Sequence, residues 1–265
     1  LQPDRWDFLV ALAGNPNTGK STVFNSLTGL KQHTGNWPGK TVVRAEGVFA
    51  HQGKRIKVVD LPGTYSLQAG STDEEVARDF SLVGRPDVTV VVVDATRLER
   101  NLNLVLQVLE ITDRVVVCLN LMDEARRKRI RIDTDSLARQ LGVPVTPTAA
   151  RYREGIDDLL ESVDAVATGR VQSTPRRLAG PGFPVKQVVD DLSQSVEDLY
   201  PSLPNARWVS LRLLDNDERI AQAVSTGELG DLTADKSIEQ DQEEQAESPA
   251  MAANRPRAKA VLAKA

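Results

Sequence analysis

The 265 residues carry 33 Lys and Arg against 37 Asp and Glu, a formal charge of −4 that gives no general attraction for nucleic acid phosphates. One cysteine and two histidines exclude an internal disulfide and a Cys/His zinc site, a usage that fits the cytosol. No apolar run reaches the roughly 18 to 20 residues that span a bilayer, and the opening LQPDRWDF has neither a signal peptide pattern nor an initiator Met, so it reads as a piece of something longer.

In chain order, residues 7–14 (DFLVALAG) are a short apolar run ending in Gly, a buried strand. Residues 19–30 have helical spacing at Val23, Leu27 and Leu30. The stretch 31–43 (KQHTGNWPGKTVV) is rich in Gly and Pro and reads as an exposed loop. Residues 40–63 read as two strands around a Gln52-Gly53 turn. Three Val-rich runs follow, at 86–96, 113–123 and 142–150, separated by helical patterns at 73–83, 101–111, 133–141 and 155–168. Continuous apolar strands alternating with helices predict a parallel sheet covered on both faces. The composition then shifts. Residues 169–184 are rich in Pro, Gly and basic side chains, a linker. Beyond them the strand pattern ends; 185–200 and 206–224 read as helices, and 234–248 is an acidic stretch, either a solvated helix or disordered. The expected organisation is a first domain over 5–168, a linker over 169–184, and a helical domain over 185–265.

Five elements carry chemistry. GNPNTGKS at 14–21 fits G-x-x-x-x-G-K-[ST] between a strand and a helix. There, backbone N–H groups of Asn17, Thr18, Gly19 and Thr22 and the helix N-terminus can surround an anion. Lys20 reaches the β- and γ-phosphates, and the Ser21 hydroxyl ligates Mg²⁺. VVDLPG at 58–63 ends a strand with Asp60, which can hold Mg²⁺ through water; Leu61, Pro62, Gly63 and Thr64 follow as a second nucleotide-sensing segment, the Gly63 N–H facing a γ-phosphate. CLNLMD supplies Asn120 and Asp123, and the carboxylate accepts from both guanine N–H donors, which adenine lacks. PTAA at 147–150 offers the N–H groups of Thr148, Ala149 and Ala150 to the guanine O6. In the 31–43 loop, Gly35, Asn36, Trp37, Pro38 and Gly39 form a first switch, and Thr41 can close the Mg²⁺ shell. These residues in this order predict an α/β P-loop GTPase with a mostly parallel sheet flanked by helices, then a smaller all-α domain.

The stretches GNPNTGKSTVFN, TGNWPGKTV, DLPGTYSL, ARDF, PDVTVVVVDATRLERNLNLVLQVLE and NLMDEA resemble the cytosolic part of the FeoB family of bacterial ferrous iron transport proteins. The later LYPSLPNARWVSLRLLDND resembles the helical domain that follows the GTPase domain in that family. The resemblance spans residues 8–217. It implies a GTP-hydrolysing switch at the cytoplasmic face of the inner membrane, and a helical domain that favours bound GDP. It implies as partners a guanine nucleotide, a membrane-embedded part of the same polypeptide, small accessory Feo proteins and further copies of itself, but no nucleic acid. It implies slow turnover, because Thr64 stands where many small GTPases carry a water-orienting Gln, and a potassium site using Asn17. The catalytic set is then Lys20, Thr41, Gly63 and Asn17. Two positions depart from common GTPase patterns: Leu121 replaces a Lys, and Ala149 replaces a Ser. Two readings stay open beside this one: a soluble RNA- or ribosome-associated GTPase, for which EARRKRIRID at 124–133 is the basic cluster, and a non-catalytic guanine nucleotide sensor.

Overall fold

The computed structural model describes residues 6–29, 32–37, 41–67, 71–83, 86–176, 183–201, 203 and 205–227. The acidic stretch at 234–248 falls outside them, as do Pro38 and Gly39 of the first switch. The chain divides into two compact units, Leu1–Leu178 and Ala179–Ala265.

The first unit opens with β1 (Phe8–Gly14), α1 (Lys20–Thr28), β2 (Gln32–Asn36), β3 (Val43–His51) and β4 (Lys54–Asp60). It continues with α2 (Thr72–Val83), β5 (Val88–Asp94), α3 (Leu98–Ile111), β6 (Val115–Asn120), α4 (Met122–Arg127), α5 (Thr134–Leu141), β7 (Val145–Pro147) and α6 (Ile156–Ala167). The seven strands form one sheet in the order β2-β3-β4-β1-β5-β6-β7. Pairing is parallel from β4 through β7, and β3 runs antiparallel to β2 and β4. Every residue of β5 and β6 is buried, as a strand covered on both faces requires. Val10, Leu12, Phe24, Val58, Val90, Val116, Ile156 and Val163 share one apolar cluster between the sheet and its helices. The turn at Gln52 and Gly53 has both residues at positive φ, 49° and 78°, the geometry of a tight hairpin.

Three expectations change, two of them in the first unit. Residues 31–43 contain a strand: β2 pairs with β3 from Gln32↔Gly47 to Asn36↔Val43. Its side chains from His33 to Asn36 are exposed, so no apolar alternation marked it; the free backbone edge of β3 supplies the pairing. Residues 171–176 lie along the first unit, with the N–H groups of Val171, Thr174 and Arg176 donating to Ala165, Gly142 and Leu141 at 3.0 Å each.

In the second unit, α7 (Phe183–Leu199) packs on α8 (Ala206–Leu214), and α8 on α9 (Glu218–Thr226). The 206–224 pattern is two helices rather than one. Asn216 turns the chain with φ 55°, and Asp217 caps the next helix by accepting from the Ile220 N–H at 3.2 Å. Val189, Leu192, Val196, Val209, Leu213, Ile220 and Val224 are buried. The Tyr200 hydroxyl donates to the Val224 carbonyl at 2.7 Å.

Candidate functional site

The C-terminal ends of β1, β4 and β6 carry the predicted residues, the crevice where ligands bind in open α/β sheets. The loop after β1 is shaped by two glycines. A Cβ on Gly14 would lie 2.7 Å from the Val92 carbonyl, so only glycine lets β1 run this close to β5. Gly19 precedes α1 at φ 80°, and a Cβ there would meet the Asn120 amide at 2.5 Å. Thr18 is buried, and its hydroxyl donates to the Asn15 carbonyl at 2.9 Å, closing the loop on itself. Ser21 and Thr22 open α1 with exposed side chains. Asn17 is exposed at φ 66°.

Lys20 forms an ion pair with Asp60 and donates to the Leu61 carbonyl at 2.6 Å. Burial lifts the Asp60 carboxyl above its usual range, and the Lys20 ammonium offsets part of that rise. The loop after Asp60 rests on the phosphate loop: Leu61 N–H donates to the Leu12 carbonyl at 2.9 Å and Thr64 N–H to the Gly14 carbonyl at 3.3 Å. Gly63 sits against Pro16. Thr64 is buried, and its hydroxyl donates to the Ser66 carbonyl at 2.6 Å. It therefore has no free donor to hold a water.

Asn120 is the junction of the site. It is 1% exposed. Its amide nitrogen donates to the Thr18 carbonyl at 3.0 Å. Its amide oxygen accepts from the Ala150 N–H at 3.1 Å and the Thr148 hydroxyl at 3.2 Å. One side chain thus ties the phosphate loop to the loop after β7 and keeps a second amide N–H beyond the one given to Thr18. Leu121 precedes α4 at φ 63°, a left-handed conformation that costs an apolar residue roughly 1–2 kcal/mol. It starts the helix abruptly, so Asp123 stands in the first turn, half-buried. Ala149 and Ala150 are buried beside it in the chain that follows β7.

The switch side is built differently. Trp37 is half-buried, its ring edge-on to Phe80 of α2 at 5.3 Å and 68°, with the Arg44 guanidinium 5.2 Å from its centroid. Trp37 N–H donates to the Val42 carbonyl at 2.9 Å. Thr41 is exposed just before β3. The side chains of Asn17, Ser21, Thr22, Thr41 and Asp123 form no hydrogen bond with another described residue. Sequence reasoning missed Gln107 of α3. Its amide oxygen accepts from the Leu67 N–H at 2.7 Å and holds the segment after Thr64; a polar break in an apolar helical stripe was its only mark.

The donor set fits magnesium in kind. Ser21 and Thr41 offer hydroxyls and Asp60 a carboxylate, the hard oxygens that ion takes. Among the described residues no three His, Cys, Asp or Glu cluster as a ready-made metal site, so nucleotide oxygens and water have to complete its shell. None of the described helices is long and apolar enough to cross a membrane.

Residues 8–163 match the family described as ferrous iron transport protein B. The Fe(2+) transporter FeoB of Salmonella typhimurium is 41% identical over 213 residues, which cover 78% of this chain and 27% of that protein. The Escherichia coli K12 protein of the same name is 40% identical over the same length. The chain therefore spans about a quarter of these relatives. Among solved structures, the cytosolic domain of the T. maritima FeoB iron transporter in a GDP form has TM-score 0.73 at 33% identity, covering 97% of this chain and 94% of that one. The FeoB G-domain from Methanococcus jannaschii has TM-score 0.54 at 45% identity, covering 61% of this chain and 97% of its own. The first unit has the P-loop GTPase fold of those domains, and the chain belongs to the FeoB family of ferrous iron transport proteins.

Proposed function

We propose that this chain is a guanine nucleotide switch that hydrolyses GTP slowly, with magnesium, and regulates ferrous iron uptake by a membrane-embedded part of the same polypeptide at the cytoplasmic face of the bacterial inner membrane. The observation that carries the reading is the Asn120 bridge, which joins the phosphate loop to the loop after β7 immediately before Asp123. A phosphate cradle and a base reader held by one buried amide serve a ligand with both parts.

The roles follow from the chemistry. Lys20 exchanges Asp60 and the Leu61 carbonyl for phosphate oxygens, which frees the Asp60 carboxylate to turn toward magnesium. Ser21 and Thr41 give that ion hydroxyl oxygens, and the ion supplies charge neutralisation at the phosphates. The N–H groups of Thr18, Gly19, Lys20, Ser21 and Thr22 surround the phosphates. Asp123 accepts from the guanine; Thr148, Ala149 and Ala150 form the opposite arm. Their N–H groups already donate to the Leu119 carbonyl at 2.8 Å, the Glu154 carbonyl at 3.0 Å and the Asn120 amide oxygen at 3.1 Å, so the expected contact of these N–H groups with the guanine O6 would require those bonds to be given up. With the Thr64 hydroxyl committed to Ser66, the Gly63 N–H positions the attacking water. Asn17 is exposed at the loop's rim and would hold potassium, which would supply positive charge beside the phosphates. The helical unit slows GDP release. Self-association and small accessory Feo proteins belong to the same reading.

Steady-state hydrolysis of GTP and ATP in matched potassium and sodium buffers tests this. Turnover of GTP alone, faster in potassium, is expected. Cation-indifferent turnover removes the role of Asn17. Tight GTP binding without turnover makes the chain a sensor, the reading that the committed Thr64 hydroxyl favours.

A further inference from the structure

Arg126, in the last turn of α4, and Glu154, just before α6, meet fork to fork. Nη1 lies 2.6 Å from Oε1, and Nη2 lies 2.6 Å from Oε2. Both side chains are about half exposed, 56% and 50%. Nearby exposed pairs are looser: Arg127–Glu124 is a single contact at 3.6 Å and Lys128–Glu124 one at 4.0 Å. A single exposed ion pair adds little, because water screens it and two long side chains lose freedom. A planar bidentate pair differs, because two parallel bonds fix orientation as well as distance.

What the pair joins gives it meaning. Arg126 follows Asp123 by three residues, so both sit on one side of the short helix α4. Glu154 belongs to the other arm: its carbonyl accepts from the Ala149 N–H at 3.0 Å, closing the loop that carries Ala149 and Ala150. At their roots the two arms are already stitched, by Met122 N–H to the Thr148 carbonyl at 3.1 Å and by Asn120 to Ala150. At their tips the described link is Arg126–Glu154. Asp123 and the two alanines lie between root and tip.

We propose that Arg126 and Glu154 form a clasp across the base site, a positioning pair that sets how fast the bound guanine nucleotide leaves. This rests on the guanine reading above. Neither side chain touches the base. The clasp keeps the Asp123 helix and the alanine loop at the spacing the base requires, and opening it lets the arms part around the intact Asn120 root. The hydrogen bonds from Arg126 also hold the Glu154 carboxyl below its usual range, so the clasp stays charged at neutral pH.

The test is stopped-flow release of a fluorescent methylanthraniloyl GDP from the whole chain. The variants are Arg126→Glu, Glu154→Arg and the double exchange, each also melted without nucleotide. Each single reversal is expected to speed release about three- to tenfold at low salt. The double exchange should return it to within about twofold of the parent. High salt should move the parent toward the single variants. Rescue by exchange is a readout that a general loss of stability does not produce. Release at the parental rate in both single variants overturns the proposal, as does fast release that the exchange fails to slow. If the parent chain does not bind the probe, the guanine reading falls and the clasp with it. A parent that binds it with indifferent variants removes the clasp alone.

Discussion

The base-and-phosphate side of the site and its switch side are built by opposite means. The first is stitched through a buried side chain: Asn120 has three partners on two loops, and β6, which delivers it, is buried throughout. The second is laid on an edge: β2 hangs on β3 by backbone pairing, with His33 to Asn36 exposed, and Trp37 packs on Phe80. Buried polar junctions are costly to disturb because each lost bond leaves an unsatisfied group. An edge strand held by its ladder costs little to move. On the proposed reading the cradle is preformed, and the part that would respond to a γ-phosphate is the cheap part.

The largest expected effect is that of Lys20→Ala. Removing one partner of a half-buried charge-assisted contact typically costs about 2–5 kcal/mol, so GTP affinity should fall by about 30-fold or more in a titration. Unchanged affinity would take Lys20 out of the phosphate site. Asn120→Ala comes next. It orphans the Thr18 carbonyl and the Ala150 N–H and leaves the Thr148 hydroxyl only Cys118 Sγ at 3.2 Å, and about 2–4 kcal/mol of folding stability should go. The control is Thr34→Ala on β2, exposed and expected within about 0.5 kcal/mol of the parent. Equal urea midpoints for the two variants would break the contrast between junction and edge.

The same contrast decides what was legible in the sequence. The Val-rich runs at 88–94 and 115–120 announce themselves because a strand buried on both faces has no polar alternative. GNPNTGKS is legible because phosphate chemistry dictates its spacing. β2 was not, since QHTGN gains its place from the backbone of β3 and buries no apolar face. The helix at 98–111 begins three residues before its apolar stripe, after a turn capped by Asp94. For Asn120 the sequence pointed to the base and gave no sign that its amide also holds Thr18, 102 residues away, and Ala150, 30 residues away. Such partners are set by tertiary packing and leave no local mark.

Asp123→Asn probes the base reader without touching the stitching, because no described hydrogen bond depends on its carboxylate. GTP affinity should drop about tenfold or more, the loss of one charge-assisted pair of bonds, with folding stability near the parent's. Competition binding of GTP against ATP checks it. An unaltered preference would place base selection elsewhere on the preformed side.

The smallest effect comes from the far end of the switch hairpin. Asp164 of α6 exposes 4% of its side chain and accepts from Lys54 at 2.5 Å and Arg170 at 2.6 Å. Lys54 opens β4 and Asp60 closes it, so six residue steps, about 20 Å, separate this anchor from the nucleotide end. The Lys54 hydrogen bond chiefly holds the Asp164 carboxyl below its ordinary value, with burial opposing and Arg170 adding to the effect. A carboxyl lowered in the folded state stabilises fully above its unfolded pKa and loses that contribution as the pH falls through the folded one. Urea midpoints of the parent should therefore fall on acidification below about pH 4, and Asp164→Asn should be weaker by about 1 kcal/mol at neutral pH and less steep in acid. GDP affinity should not move. If it does, strain at the hairpin turn reaches the cradle through β4, and the preformed side and the switch side are one elastic unit rather than two separately built ones.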